Sequence, residues 1–396
     1  MKRTVVFLLM VVALMLAACG PAAGAEPEAC KAELGCAKIA KGQTIKIGFA
    51  GPMTGDYSQF GIDMSQGMKI AVPDAGDVQG FKFELVIEDD GGSAEGGAAV
   101  ANKLVTDPTF VAMAGHAFSG ATSAAMPIYE KAGIPMLSPS ATNPDLTKKG
   151  SKVFNRTPFT DSDQAKYAAA YLFTTLGKKN MAILHDGTDY GQGLAKGVEA
   201  AYTELGGTVV AFEAVTPGES DYSAVLAAVA SKAPEAVYYG GYNAEAAVIA
   251  NQMEAAGLKG VTLFGTDGVY GADFITKAAA NAEGVYATTM LPTTGDAVTK
   301  FDEAYKAAFG TEPGVLSPYT WTSYDAFTVL ASAVKSVAVL SGDTLYIPRG
   351  ALMAAVRGTK DHNGLAGVIT CREDGECNAS GPTFMIVKDG KWEVVK

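Results

Sequence analysis

From Ile45 onward, short β-branched runs alternate with longer alanine-rich stretches whose apolar residues recur at helical spacing. Parallel sheets covered by helices require this alternation, because two parallel strands can be joined only by a crossover long enough to hold a helix. A first series places strands at 45–50, 82–88, 110–114 and 135–138, with helices near 59–72, 94–106 and 121–132. A second series repeats the scheme, with strands at 181–185, 208–213, 236–240, 261–265 and 284–288 and helices near 162–176, 191–205, 221–232 and 244–257. Two doubly wound α/β units in tandem are therefore expected. The roughly 350 residues after position 43 exceed what one hydrophobic core serves, which also points to two lobes.

The N-terminus addresses the compartment. Lys2 and Arg3 precede an apolar run from Val5 to Leu16, followed by Leu16-Ala17-Ala18-Cys19-Gly20. That run is too short to span a bilayer with margin, and small residues before a cleavage point mark a signal peptide, here 1–18. The order resembles a bacterial lipobox, which makes Cys19 the lipidated first residue of the mature chain. Residues 19–43, rich in Pro, Gly and charge, read as a tether without a core of its own.

Besides Cys19 there are four cysteines, as Cys30-x5-Cys36 and Cys371-x5-Cys377. In an oxidising compartment two local disulfides are the natural reading, although four cysteines allow three connectivities. A zinc site is the alternative; the spacing is unusual for it and no histidine lies nearby. The net charge is −11, or −13 once Lys2 and Arg3 are removed, which argues against a nucleic-acid partner.

In doubly wound sheets ligands sit beyond the carboxyl ends of the strands, where loops enter helix N-termini with free N–H groups. The first unit offers hydroxyls and glycines at these exits: Gly51 to Gly61, Gly115-His116-Ala117-Phe118-Ser119-Gly120-Ala121-Thr122, and Ser138-Pro139-Ser140-Ala141-Thr142-Asn143-Pro144. Each hydroxyl taken alone reads as a helix cap. The second unit offers His185-Asp186-Gly187-Thr188-Asp189-Tyr190-Gly191, Tyr239-Gly240-Gly241-Tyr242 and Gly265-Thr266-Asp267-Gly268. One side thus suits a carboxylate and the other an ammonium group with aromatic walls, so a zwitterion closed between them satisfies both.

In their order and separation, the stretches IKIGFAGPMTGDYSQFG, IEDDGGSAEGGAAVANKLV, GHAFSGATSAAMPIYEKAGIPMLSPSATNPDLT, DSDQAKYAAAYL, AILHDGTDYGQGLAKG, AVYYGGYNAE and FGTDG resemble the leucine/isoleucine/valine-binding proteins of branched-chain amino-acid ABC transporters. The resemblance covers about Ile45 to about residue 340, and weakly the remainder. It implies a type I periplasmic binding protein (Venus-flytrap) fold, with two parallel-sheet lobes joined by a three-segment hinge. Lobe 1 would comprise 44–161 plus about 289–366, and lobe 2 162–288 plus about 367–396.

Carried over residue by residue, the resemblance puts the ligand α-carboxylate on Ser119 and Thr142. The ammonium falls to the Ser140 carbonyl and the Asp267 carboxylate, with Tyr190 and Tyr242 from the second lobe and Phe60 and Phe118 at the side-chain pocket. Two departures bear on selectivity. Asp267 stands where relatives commonly carry Glu, one methylene longer. Phe118 stands where some carry a cysteine paired to the Asp89-Asp90-Gly91-Gly92 loop; it either shrinks the pocket in favour of Val, Ala or a short ω-amino acid, or packs outward and changes nothing.

The implied partners are a small amino acid, the membrane through the N-terminal lipid, and ABC permease subunits, with the binding protein itself a monomer and no cofactor. An enzyme finds little support. His116, His185 and His362 form no metal-ligand pair, and neither a Gly-x-Ser-x-Gly elbow nor a phosphate-binding Gly-x4-Gly-Lys-Ser/Thr loop occurs. The same fold also serves binders of other small amino acids, γ-aminobutyrate, amides or aromatic acids, and ligand sensors that present their cargo to a separate receptor.

Overall fold

The computed structural model describes residues 25–377 and 381–395. The expected signal peptide and Cys19 lie outside the described residues. The first sheet runs, in spatial order, Asp77–Val78, Phe81–Asp89, Ile45–Gly51, Phe110–Met113, Met136–Ser138 and Phe154–Arg156. All its pairings are parallel except that of the short edge strand Asp77–Val78. The second sheet runs Lys391–Val394, Thr383–Lys388, Tyr286–Thr289, Thr262–Phe264, Ala236–Gly240, Asn180–His185 and Thr208–Ala214. Its two C-terminal strands are antiparallel and the rest parallel. Strands such as Ile45–Gly51 and Ala236–Gly240 are buried along nearly their whole length, as expected of strands covered on both faces.

The chain passes three times between the sheets. The first passage separates strand Phe154–Arg156 from helix Asp161–Ala170, which packs on helix Asp189–Glu204 of the second unit. The second follows strand Tyr286–Thr289 and leads to helix Asp296–Phe309, which returns to helix Ser58–Asp74 of the first. The third comes later than residue 366. Residues 371–377 still lie along the first sheet, where Arg156 N donates to Gly375 O at 3.0 Å and Cys377 N donates to Arg156 O at 2.9 Å. The next strand, Thr383–Lys388, joins the second sheet.

The tether expectation also needs correction. Cys36–Ala40 is a strand, paired antiparallel with Thr344–Pro348 in a small three-stranded sheet, and Ala37 and Ile39 point into the core. A polar composition hid it because two inward residues suffice for a half-buried strand when a disulfide and a backbone ladder order the rest. Disulfides join Cys30 to Cys36 and Cys371 to Cys377.

Helix Ser58–Asp74, which leaves the first strand exit, lies tightly against helix Thr320–Val337. A Cβ on Gly67 would stand 2.2 Å from Ser323 Oγ and 2.5 Å from Thr320 O. Beside this contact the buried Asp63 carboxylate accepts from Ser317 Oγ at 2.6 Å, Thr320 Oγ1 at 2.7 Å and Tyr305 OH at 2.8 Å. Gly67→Ala is expected to cost about 1–3 kcal/mol, the usual penalty of overpacking, seen as a lower denaturation midpoint.

Candidate functional site

Three loops of the first lobe converge because a buried histidine ties them. His116 Nδ1 is 2.7 Å from Asp90 Oδ2, and its carbonyl accepts Ser138 Oγ at 2.7 Å and Thr122 Oγ1 at 3.2 Å. Ser119 opens helix Ser119–Ala132, and its hydroxyl accepts the amide of Asn143 at 3.3 Å. Ser140 Oγ donates to Ala117 O at 2.7 Å. These contacts leave Thr142 Oγ1 buried without a hydrogen-bond partner. Ser119 and Ser140 thus border one small cavity at a helix N-terminus, which suits an anionic group.

The opposite wall carries the negative charge. Asp267 is fully buried, and its carboxylate accepts Gln164 Nε2 at 2.7 Å together with the hydroxyls of Tyr190 and Tyr319. Gln164 is itself held, its Oε1 accepting from the Asp267 amide at 3.2 Å and from Thr288 Oγ1. Tyr190 is the second residue of helix Asp189–Glu204, whose start is capped by Thr188 Oγ1 accepting from Gly191 N at 3.0 Å. Tyr242 is the residue just before helix Asn243–Met253.

A second carboxylate, Asp161, is buried close by, and neither of its oxygens has a hydrogen-bond partner. Burial pushes its pKa well above the ordinary value, and the Asp267 charge adds to the rise. The Thr142 hydroxyl and the more distant Arg156 oppose it, though Thr142 lies near Asp161 without reaching hydrogen-bond geometry. Asp161 is the first residue of its helix, placed there by a capping box between Thr160 and Asp163.

Aromatic rings fill the space between the lobes. Phe118 stacks on Tyr242 with centroids 4.3 Å apart and planes 13° from parallel. Phe60 meets Phe118 at 5.6 Å and Tyr242 at 5.8 Å, and Tyr190 meets Tyr242 at 5.1 Å. Phe118 therefore faces the cleft. Its stack divides a small inner cavity of about 10 Å³, bounded by Ser119, Ser140, Tyr190, Tyr242 and Tyr319, from an outer one of about 400 Å³ beside Tyr57, Gly92 and Pro217. Across the rim, Tyr57 OH donates to Glu245 Oε1 at 2.8 Å and Gln59 Nε2 to Asn243 Oδ1 at 2.9 Å.

Phe60, Phe118, Ser119, Ser140, Thr142, Tyr190, Tyr242 and Asp267 are thus all gathered at one cleft. Asp161, Gln164 and Tyr319 escaped the sequence reading. Thr160-Asp161-Ser162-Asp163 reads as a helix cap, and that sufficient local explanation conceals the buried carboxylate. Tyr319, in Ser317-Pro318-Tyr319-Thr320, follows the return to the first lobe, where no strand exit draws attention to it.

Comparison with known proteins agrees with this geometry. The family model described as "Periplasmic binding protein" matches residues 44–391. The leucine-specific-binding protein of Salmonella typhimurium is 36% identical over 294 residues, 73% of this chain and 78% of that protein. The Leu/Ile/Val-binding protein of Escherichia coli is 34% identical over 305 residues, 76% and 82% of the two chains. A leucine binding protein from Thermotoga maritima superposes with a TM-score of 0.81 at 30% identity, covering 89% of this chain and 98% of that one. A branched-chain amino acid transporter substrate binding protein from Streptococcus pneumoniae, solved with isoleucine, superposes with a TM-score of 0.79 at 31% identity, covering 89% and 99%. Matched along most of its length and sharing the two-lobed fold, this chain belongs to the periplasmic binding protein family, beside the leucine- and Leu/Ile/Val-binding proteins.

Proposed function

We propose that this chain is the lipid-anchored, extracytoplasmic solute-binding component of an ABC importer, and that it closes its two lobes around a small aliphatic amino acid. The observation that carries the reading is the opposition of charge preferences across one desolvated cleft. Buried Asp267 stands on one side, Ser119, Thr142 and a helix N-terminus on the other, and buried Asp161 lies beside Thr142, its amide donating to Thr142 O at 3.1 Å. A desolvated ammonium needs a negative partner and charge-assisted hydrogen bonds, and a carboxylate needs donors, so a zwitterion answers both demands. The α-carboxylate goes to Ser119 and Thr142. The ammonium goes to the Ser140 carbonyl and Asp267, with Asp161 as the further acceptor that the sequence reading lacked. Tyr190, Tyr242, Phe60 and Phe118 wall the rest, and an aromatic face beside an ammonium adds cation–π attraction.

The open form takes the amino-acid backbone on the first lobe, and hinge closure brings Tyr190, Tyr242 and Asp267 over it, a mode of closure general to periplasmic binding proteins. The closed pair of lobes then offers a permease a surface that the open form lacks. The relatives named above are binders of leucine or of Leu/Ile/Val, and the Streptococcus pneumoniae protein is a transporter substrate binding protein, which supports importer cargo over an enzymatic role. Anchoring rests on the lipobox around Cys19, and Cys19→Ser is expected to shift the protein from the membrane to the soluble fraction on cell fractionation.

A thermal-shift screen of the mature protein against amino acids, amides and carboxylates tests the zwitterion; shifts confined to compounds without an ammonium group would overturn it. Hydrogen bonds to charged groups contribute roughly 1.5–3 kcal/mol each. Asp267→Ala and Asp161→Asn are therefore expected to weaken amino-acid binding about tenfold or more by calorimetry, whereas Asp189→Ala, at an exposed position, leaves it near wild type. Because the raised pKa keeps Asp161 protonated above the ordinary carboxylate range and a bound ammonium favours its charged form, affinity should rise with pH through that interval. Calorimetry in two buffers should then show proton release on binding at acidic pH, lost in Asp161→Asn.

The Phe118–Tyr242 stack over a small inner cavity favours short side chains such as Val or Ala. Phe118→Ala should move the order of affinities toward Leu and Phe in the same screen. An unchanged order would remove Phe118 from the side-chain pocket.

A further inference from the structure

The loop that carries Ser140 and Thr142 is held from within by Ser138 Oγ, which accepts the Ala141 amide at 2.9 Å, and from outside by a buried arginine. The loop carbonyls at Ala141 and Asn143, on either side of Thr142, both accept from Arg156 Nη1, at 3.1 and 2.6 Å. Arg156 is wholly buried, and its remaining donors go to Glu376, with Nη2 donating also to Thr147 Oγ1 at 3.2 Å. Nε donates to Glu376 Oε2 at 2.9 Å, Nη2 to Oε1, and Thr147 Oγ1 also donates to Oε1 at 2.8 Å. A planar guanidinium can serve a carboxylate with one edge and two carbonyls with another, which a lysine cannot do. The two carbonyls flanking Thr142 are therefore tied, through Arg156, to where Glu376 stands.

Glu376 stands next to Cys377, inside the short loop closed by the Cys371–Cys377 disulfide. The loop is shaped for this contact. Arg372 N donates to Glu376 O at 2.8 Å, and Glu376 N donates to Asp374 Oδ1 at 3.0 Å. Gly375 takes φ +96°, where a Cβ would meet Phe154 O at 2.4 Å. Arg357 Nη2 donates to Phe154 O at 2.8 Å and its Nη1 to Glu373 O, so the strand and the loop are held to each other. The ligand-facing loop never touches the disulfide, yet a single charged relay joins them.

We propose that Glu376 is a positioning residue for the amino-acid site, acting through Arg156, and that the Cys371–Cys377 disulfide presents it. This rests on the reading of Ser140 and Thr142 as ligand groups. A buried ion pair of this kind supplies orientation rather than net stability, since desolvation of its charges offsets most of their attraction. With the disulfide absent, ordering Glu376 falls to the loop alone, and the Arg156 fork loses the partner that fixes its plane.

The test compares the intact protein with Glu376→Gln and with Cys371→Ser/Cys377→Ser, using Cys30→Ser/Cys36→Ser as the control, because that bridge lies at the small three-stranded sheet. Two quantities are read: hydrogen–deuterium exchange of residues 138–147 and the dissociation constant for L-valine. Both variants are expected to exchange faster across 138–147 and to bind L-valine about 3- to 30-fold more weakly. The control changes neither, whatever it does to the melting temperature. Unchanged exchange at 138–147 in both variants, or an equal change in the control, overturns the proposal. If the intact protein binds neither L-valine nor any other amino acid, the amino-acid reading falls, while the exchange measurement still decides the role of Glu376.

Discussion

The buried carboxylate of Asp267 is the constraint around which the rest is arranged. An ionised carboxylate removed from water is costly unless donors surround it, and its donors come from three separate places. Gln164 lies just after the first passage between lobes, Tyr190 at a strand exit of the second lobe, and Tyr319 at the start of a first-lobe helix. Thr288, which holds Gln164, lies just before the second passage. The charge requirement of one side chain thus couples both of these hinge segments to the cleft. On the proposed closure mechanism, a movement that opened the lobes would separate Tyr319 from Asp267 and re-solvate the carboxylate, so hinge position and site electrostatics would form one equilibrium.

The same logic explains why two carboxylates can share so small a space. Asp267 is satisfied by neutral donors, whereas Asp161 is not, and burial beside a second acid favours its proton. The site holds both acids without paying the full repulsion, because one can be neutral. An ammonium placed against Asp161 supplies the partner that the carboxyl lacks. On the proposed amino-acid reading, ligand binding and deprotonation are linked, and a ligand with a carboxylate and no cation would be disfavoured.

How much of this could be read from residues follows from the range of the physics involved. Strands such as Ala236–Gly240 and helices such as Ala94–Leu104 announce themselves through periodicity, a local property, and their boundaries moved by only a few residues. That Ser119, Thr142, Tyr190, Tyr242 and Asp267 gather at one cleft was legible because the fold rule that ligands gather at strand exits converts sequence position into spatial position. Asp161 and Tyr319 were not, since each has a local role that accounts for its identity: one opens a capped helix and the other precedes one. Cys36–Ala40 was missed for the opposite reason. Its partner strand Thr344–Pro348 lies about 300 residues away, and no local pattern records a pairing that distant.

The relay from Glu376 through Arg156 lies further still from sequence-level inference, and it changes how the C-terminal segment is understood. Residues 371–377 could be taken as a disulfide-stapled surface turn, and by composition they are one. In the structure Glu376 forms an isolated parallel bridge with Arg156 at the edge of the first sheet and supplies the only carboxylate that the buried Arg156 contacts among the described residues. Arg156 needs a counter-charge wherever the chain folds, and its free edge then fixes two carbonyls beside Thr142. A covalent bridge that forms only in an oxidising compartment therefore bears, through one guanidinium, on the shape of the wall proposed to receive the ligand carboxylate. Stability and recognition share this residue, because the pairing that lets the arginine be buried also determines where its remaining donors point.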